Sequence, residues 1–128
     1  MVRTVSVDDL AAVITEEVKK YTDDVQEEIK KEVKSTASKV KKEIKAKSPK
    51  DTGEYADGWS SKTSTKGGQI EVTIYNKEKP SLTHLLEMGH AKRNGGKVAA
   101  IPHIRPSYDN LIPQMEKKIE KIIKNGGG

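Results

Sequence analysis

The chain has 128 residues, 33% of them hydrophobic and 34% charged, with no Phe, a single Trp and a mean hydropathy of -0.76, which predicts one domain over 1–128 with a thin aliphatic core. Having no Cys excludes a disulfide framework, a thiolate metal site and a Cys nucleophile. No stretch approaches the roughly 18 apolar residues of a membrane span, and Met1 to Leu10 lacks the apolar run of a signal peptide, so the expected place of synthesis and retention is a cytoplasm, with no membrane partner. The net charge of +5 invites a nucleic-acid reading, but 24 basic residues are interleaved with 19 acidic ones, and direct DNA contact is therefore the second reading and not the first.

Apolar residues at Leu10, Ile14, Val18, Tyr21, Val25, Ile29, Val33, Ala37, Val40 and Ile44 recur every three or four positions, which predicts one amphipathic helix over 8–46. At ~1.5 Å per residue such a helix is more than ~50 Å long and overshoots a domain of this size, so part of it should project or meet a partner. From Asp8 to Glu32 it holds nine acids against four lysines, and from Lys34 to Lys50 seven lysines against Glu43 alone. That polarity matches the helix macrodipole, so the lysine run reads first as a solvated helix end and second as a phosphate-binding surface.

Ser48-Pro49 closes the helix, because the residue before proline is driven out of the α region, and Asp51-Thr52-Gly53 has turn composition. A Ser/Thr-rich run from Tyr55 to Thr65 with Trp59 inside it, then Lys66-Gly67-Gly68, then alternation from Gln69 to Tyr75, predicts a β-hairpin. Ile70, Val72 and Ile74 form its inward face, and the long helix is the natural cover. Ser81 can cap a short middle helix in which Leu82, Leu85 and Leu86 share a face and Gly89 ends the element. Residues 90–97 then read as a basic, glycine-containing loop, and 98–101 as a short strand stopped by Pro102.

The last helix is predicted over 106–124, with Pro106 at its start. Pro113 implies either a kink or a later beginning near Asn110. The glycine tail over 125–128 is expected to be disordered. The fold class predicted is α+β: a long N-terminal helix, a small antiparallel sheet built on a hairpin, a short middle helix and a C-terminal helix, with the sheet, short helix and basic loop lying in 54–109.

The sharpest chemical constellation is His84, Glu87 and His90, with His103 downstream, which could in principle ligate zinc. The spacing matches neither the HExxH helix nor its HxxEH variant. The preferred reading is structural: His84 and His103 half-buried and hydrogen-bonded, Glu87 paired with Arg105 or a histidine. No nucleophile elbow, P-loop or dinucleotide fingerprint is present, so no catalytic residue, metal or cofactor is expected. Lys92, Arg93, Asn94 and Lys97, around Gly95-Gly96, form the best candidate interaction loop, for acidic protein surface or phosphate.

Three motifs occur in order: Ser48-Pro49 followed by Asp51-Thr52-Gly53 and Trp59; His84-Leu85-Leu86-Glu87-Met88-Gly89-His90; and Pro102-His103-Ile104-Arg105-Pro106. Over residues 46–109 this resembles the small head-tail joining or tail-completion proteins of long-tailed phages and prophages. The resemblance implies a non-enzymatic α+β subunit acting in a homo-oligomeric ring at the virion neck or tail top. It implies other neck, connector or tail-tube proteins as partners, and the isolated protein could be monomeric. It also implies a structural signature of Asp51, Thr52, Gly53, Trp59, His84, Glu87, Gly89, His90, His103, Arg105 and Pro106.

Overall fold

A computed structural model describes residues 2–7, 11–48, 53–78, 90–91, 97–98 and 103–126. In chain order the elements are β1 (Val2–Val7), β2 (Ala11–Glu17), α1 (Asp23–Lys47), α2 (Glu54–Asp57), β3 (Trp59–Ser64), β4 (Gln69–Asn76), β5 (His90–Ala91), β6 (Lys97–Val98) and α3 (Ile104–Lys124). The class is α+β, as expected from sequence. The main sheet has the order β1-β2-β4-β3, with every neighbouring pair antiparallel.

The first expectation to fail is the beginning of the long helix. Residues 11–17 are strand β2, paired with β1 on one side and β4 on the other, and the helix starts at Asp23. A spacing of four is a multiple of the strand period as well as close to one helical turn, so Ile14 and Val18 fit both patterns. Between them sits Glu16, fully buried on the same side, and a charged residue at that position erases the alternation that marks a strand. The local chemistry had favoured the strand: Val13, Ile14 and Thr15 are consecutive β-branched residues.

The true helix start is well signed. Thr22 is the N-cap, its hydroxyl accepting from the Val25 N–H at 3.4 Å, with Asp23 and Asp24 in the first turn and Lys45 and Lys47 in the last. With 25 residues α1 is ~38 Å long. Its apolar stripe is buried from Val25 to Ile44, so it does not overshoot the domain.

The hairpin is where the sequence placed it. β3 and β4 pair from Trp59↔Asn76 to Ser64↔Glu71, and the turn at Lys66–Gly68 uses Gly67 and Gly68 at φ +68 and +73. Both values lie in the left-handed region that side chains oppose. Gly68 has a second reason to be glycine: its carbonyl accepts from the N–H groups of Val18 and Lys19 at 2.9 and 3.0 Å, and a Cβ there would lie 2.6 Å from Lys19 Cβ. The hairpin begins later than expected, since 54–57 form the single-turn helix α2 before β3.

Ile14, Ile70, Val72 and Ile74 line one face of the sheet, at most 2% exposed. They share one core with Ile29, Val33, Val40 and Ile44 of α1 and Ile104, Ile112, Met115 and Ile119 of α3. On the opposite face Glu71, Thr73 and Tyr75 are half-buried.

α3 begins at Ile104, with Pro106 in its first turn where a missing N–H costs nothing, and runs without a break past Pro113. A start at Asn110 is therefore excluded. Pro113 is exposed, so the carbonyl it leaves without a helical donor is on the solvent side. At the other end the Asn125 and Gly126 N–H groups cap α3 by bonding Lys121 and Ile123 carbonyls at 2.9 and 3.2 Å, so the predicted disorder does not include 125–126. The short helix expected over 81–89 lies outside the described residues. The expected loop over 90–97 has paired ends, His90↔Val98 and Ala91↔Lys97, and of the strand expected over 98–101 only Val98 is described.

Candidate interaction site

At one end of the fold the close of α1, helix α2, the start of β3, the end of β4 and the start of α3 converge on a buried polar and aromatic knot. Ser48 takes an extended backbone before Pro49, at φ -72 and ψ 143, as a pre-proline residue must. Its hydroxyl donates to the Ile44 carbonyl at 2.6 Å and accepts the Trp59 indole N–H at 2.9 Å. A side chain that reads in sequence only as a helix stop thus also anchors the tryptophan.

Gly53, at φ +84, is the N-cap of α2, and its carbonyl accepts from the Asp57 N–H at 2.9 Å. That left-handed turn directs Tyr55 inward, where its hydroxyl is hydrogen-bonded to His103 Nε2 at 2.5 Å, the histidine tautomer deciding which group donates. The rings of Tyr55, Trp59 and His103 meet edge to face pairwise, with centroids 5.5 to 5.8 Å apart, the arrangement that ring quadrupoles favour. Asn76 closes the other side: its amide donates to the Tyr55 carbonyl at 2.7 Å, and its Oδ1 accepts from the Glu78 N–H at 3.1 Å. Ser107 donates to the His103 carbonyl at 2.7 Å.

All six side chains are at least nine-tenths buried, where an unmade hydrogen bond would cost about 1–3 kcal/mol. Their geometry is therefore fixed by mutual satisfaction and not by shape alone. Gly58 seals the knot, because a Cβ there would stand 2.6 Å from Asn76 Oδ1 and 2.8 Å from Glu78.

Of the residues singled out in sequence, Gly53, Trp59 and His103 are brought together here. His103 is completely buried, where the sequence suggested half-burial. Pro106 is half-buried in the first turn of α3, and Arg105 is exposed beside it. His90 pairs with Val98, and Lys97 with Ala91, in the β5–β6 ladder. Asp51, Thr52, His84, Glu87, Gly89, Lys92, Arg93 and Asn94 lie outside the described residues.

The knot also contains residues that sequence reading did not raise as site residues: Tyr55, Asn76, Ser48 and Ser107. Asn76 carried a faint signal, being polar at the end of a strand at a position in register with the buried Ile70, Val72 and Ile74.

The knot pins the two ends of each signature segment: Ser48 and Gly53 flank 49–52, and Glu78 and His103 flank 79–102. The family model described as "Bacteriophage HK97-gp10, putative tail-component" matches residues 12–89. The chain belongs to this HK97-gp10-like family. The match runs from β2 through α1, α2 and the β3–β4 hairpin and includes Gly53, Tyr55, Trp59 and Asn76. No curated protein and no solved structure matches the chain. As a phage tail component the protein is a virion structural protein, and other phage structural proteins are its partners. Among the described residues, no helix is long and apolar enough to cross a membrane.

Proposed function

We propose that this tail component is a non-enzymatic head-tail joining or tail-completion subunit, working in a homo-oligomeric ring at the neck or tail top. The observation that carries the proposal is the knot: a rigid, fully bonded base in which both ends of 49–52 and of 79–102 are rooted. Segments that recognise partners work best when a rigid scaffold positions them. In this reading Lys92, Arg93, Asn94 and Lys97 meet neck, connector or tail-tube proteins, and Gly53, Trp59, His103 and Pro106 hold the base. Asp51, Thr52, His84, Glu87, Gly89, His90 and Arg105 complete the structural signature.

The test is electron microscopy of lysates from a phage carrying an early stop codon in this gene. DNA-filled heads and detached tails side by side are expected, and intact infectious virions would reject the junction role. A second reading draws on α1, where Lys34, Lys39, Lys42, Lys45 and Lys47 are all exposed and could track phosphates. It requires DNA affinity that falls steeply with salt. Lys45 already faces Asp57 at 3.4 Å and Lys47 faces Glu43 at 2.6 Å, which weakens that surface as a phosphate track.

A further inference from the structure

On the side of α1 opposite its buried stripe, exposed residues form a narrow band, about 100° wide at ~3.6 residues per turn. It begins with two carboxylates, Asp24 and Glu27, continues through Lys31, Lys34, Ser35 and Ser38, and ends with Lys42 and Lys45. The band is thus acidic at one end and basic over the rest. Helix polarity accounts for its ends, Asp24 in the first turn and Lys45 in the last, but that effect fades within one turn. Lys31, Lys34 and Lys42 lie further in, and among the described residues none of them has a carboxylate within ion-pair distance. Lys31 and Lys34, like Lys42 and Lys45, stand three apart, a spacing at which like charges repel within one helix. Glu27 and Lys45 do have partners, Lys30 at 3.6 Å and Asp57 at 3.4 Å. Glu27, Lys45 and Asp57 are all exposed, however, and such pairs exchange at little cost.

The two signs of the band decide what can satisfy it. A polyanion running its length is repelled at Asp24 and Glu27, and a helix of uniform charge is repelled by one half or the other. A helix that is acidic at one end and basic at the other, laid antiparallel, matches both halves, and α1 of a second copy is such a helix. A register centred between Lys34 and Ser35 sets Asp24 level with Lys45 and Glu27 level with Lys42, while Lys31 and Lys34 are level with Ser38 and Ser35. The positions of the band are spaced alike in both directions, so each finds a counterpart and no lysine of the band is level with another. Ser35 and Ser38 are short and exposed, which lets the two backbones approach at the centre.

We propose that α1 pairs antiparallel with α1 of a second copy, Asp24 and Glu27 of each facing Lys45 and Lys42 of the other. Such a contact is isologous and closes at two copies, so it describes the chain outside the ring and does not rest on the ring reading. It is made mostly by charge, which sets register and orientation more than affinity, and it weakens as salt rises.

Sedimentation equilibrium of the full chain at low salt tests it, with variants at exposed positions, each confirmed as folded by circular dichroism. The chain is expected to dimerise, and Lys42→Glu to raise the dimer Kd about tenfold, since one substitution places like charges at two symmetry-related contacts. Glu27→Lys should do the same. Combining Glu27→Lys with Lys42→Glu should restore the original Kd: the two residues are ~22 Å apart along one helix, so they compensate each other across two copies and not within one. Ser35 lies beside the two-fold axis, and the chain has no Cys of its own. Ser35→Cys should therefore oxidise to a dimer faster than Gln114→Cys, which is exposed on α3. The proposal is overturned by a monomer at every concentration, by a dimer that Lys42→Glu leaves unchanged, by a double variant as weak as the single ones, or by Ser35→Cys linking no faster than Gln114→Cys.

Discussion

The two ends of this molecule's stability are built differently. Between the sheet and its two long helices, cohesion comes from Ile14, Ile29, Ile44, Ile70, Ile74, Ile104 and Ile119, all at most 1% exposed, where area removed from water is what counts. At the knot, Tyr55, Trp59, His103, Ser48 and Asn76 are also buried, at most 7% exposed, but each holds a specific hydrogen bond. The aliphatic layer should therefore tolerate changes that conserve volume, while the knot should not tolerate the loss of a single polar atom. The difference teaches where precision is needed: the layer makes the fold, and the knot fixes the chain at Ser48, Gly53, Glu78 and His103.

The largest effect expected is from Trp59→Ala, which removes the ring packed against Tyr55 and His103 and the donor to Ser48; denaturant unfolding should show a loss of about 3–5 kcal/mol. Tyr55→Phe sharpens the comparison. It removes one oxygen and leaves the buried His103 Nε2 without the Tyr55 hydroxyl, and should cost about 1–3 kcal/mol by the same measurement. Ile70→Val in the layer deletes one methylene and should cost only about 0.5–1.5 kcal/mol. If the ordering of the last two is reversed, the contrast between the regions fails.

Smaller still is a pH effect at the rim of the layer. Burial pushes the Tyr108 hydroxyl up to about 12 from 10.0. The unfolded chain gives up this proton near pH 10 while the folded chain keeps it, so its contribution is fully present below pH 10 and is lost as the pH rises to 12. The urea midpoint should fall across that window, and less steeply in Tyr108→Phe. The smallest effect belongs to Glu43, whose carboxylate is held below its usual range first by the hydrogen bond from Lys47 and also by Asn110 of α3, at 3.3 Å. Glu43→Gln should cost less than about 1 kcal/mol, because the group is only partly covered. The part that depends on ionisation is present above the ordinary carboxylate range and is lost as pH falls through the lowered value.

Legibility in the sequence followed the range of the interactions. The β3–β4 hairpin could be read because its alternation and its glycines are contiguous, and α3 because its stripe is long. β2 was hidden by Glu16, a buried carboxyl side chain between Ile14 and Val18, and by a spacing of four that suits both periods. The knot was legible only in part. Gly53, Trp59 and His103 stand out as residue types in a motif, but the bond from Tyr55 to His103 spans 48 positions and that from Asn76 to the Tyr55 carbonyl spans 21, and no local pattern encodes such pairings. Pro113 misled because its position within a helix says nothing about which face it occupies, and on an exposed face the missing hydrogen bond is tolerable.

The central claim is that a tail component with this architecture works at the junction of head and tail. Immunogold labelling of purified virions with antibody to this chain tests it most directly. Gold confined to the head-proximal end of the tail is the predicted result; gold along the tail shaft or at its distal tip would contradict the claim.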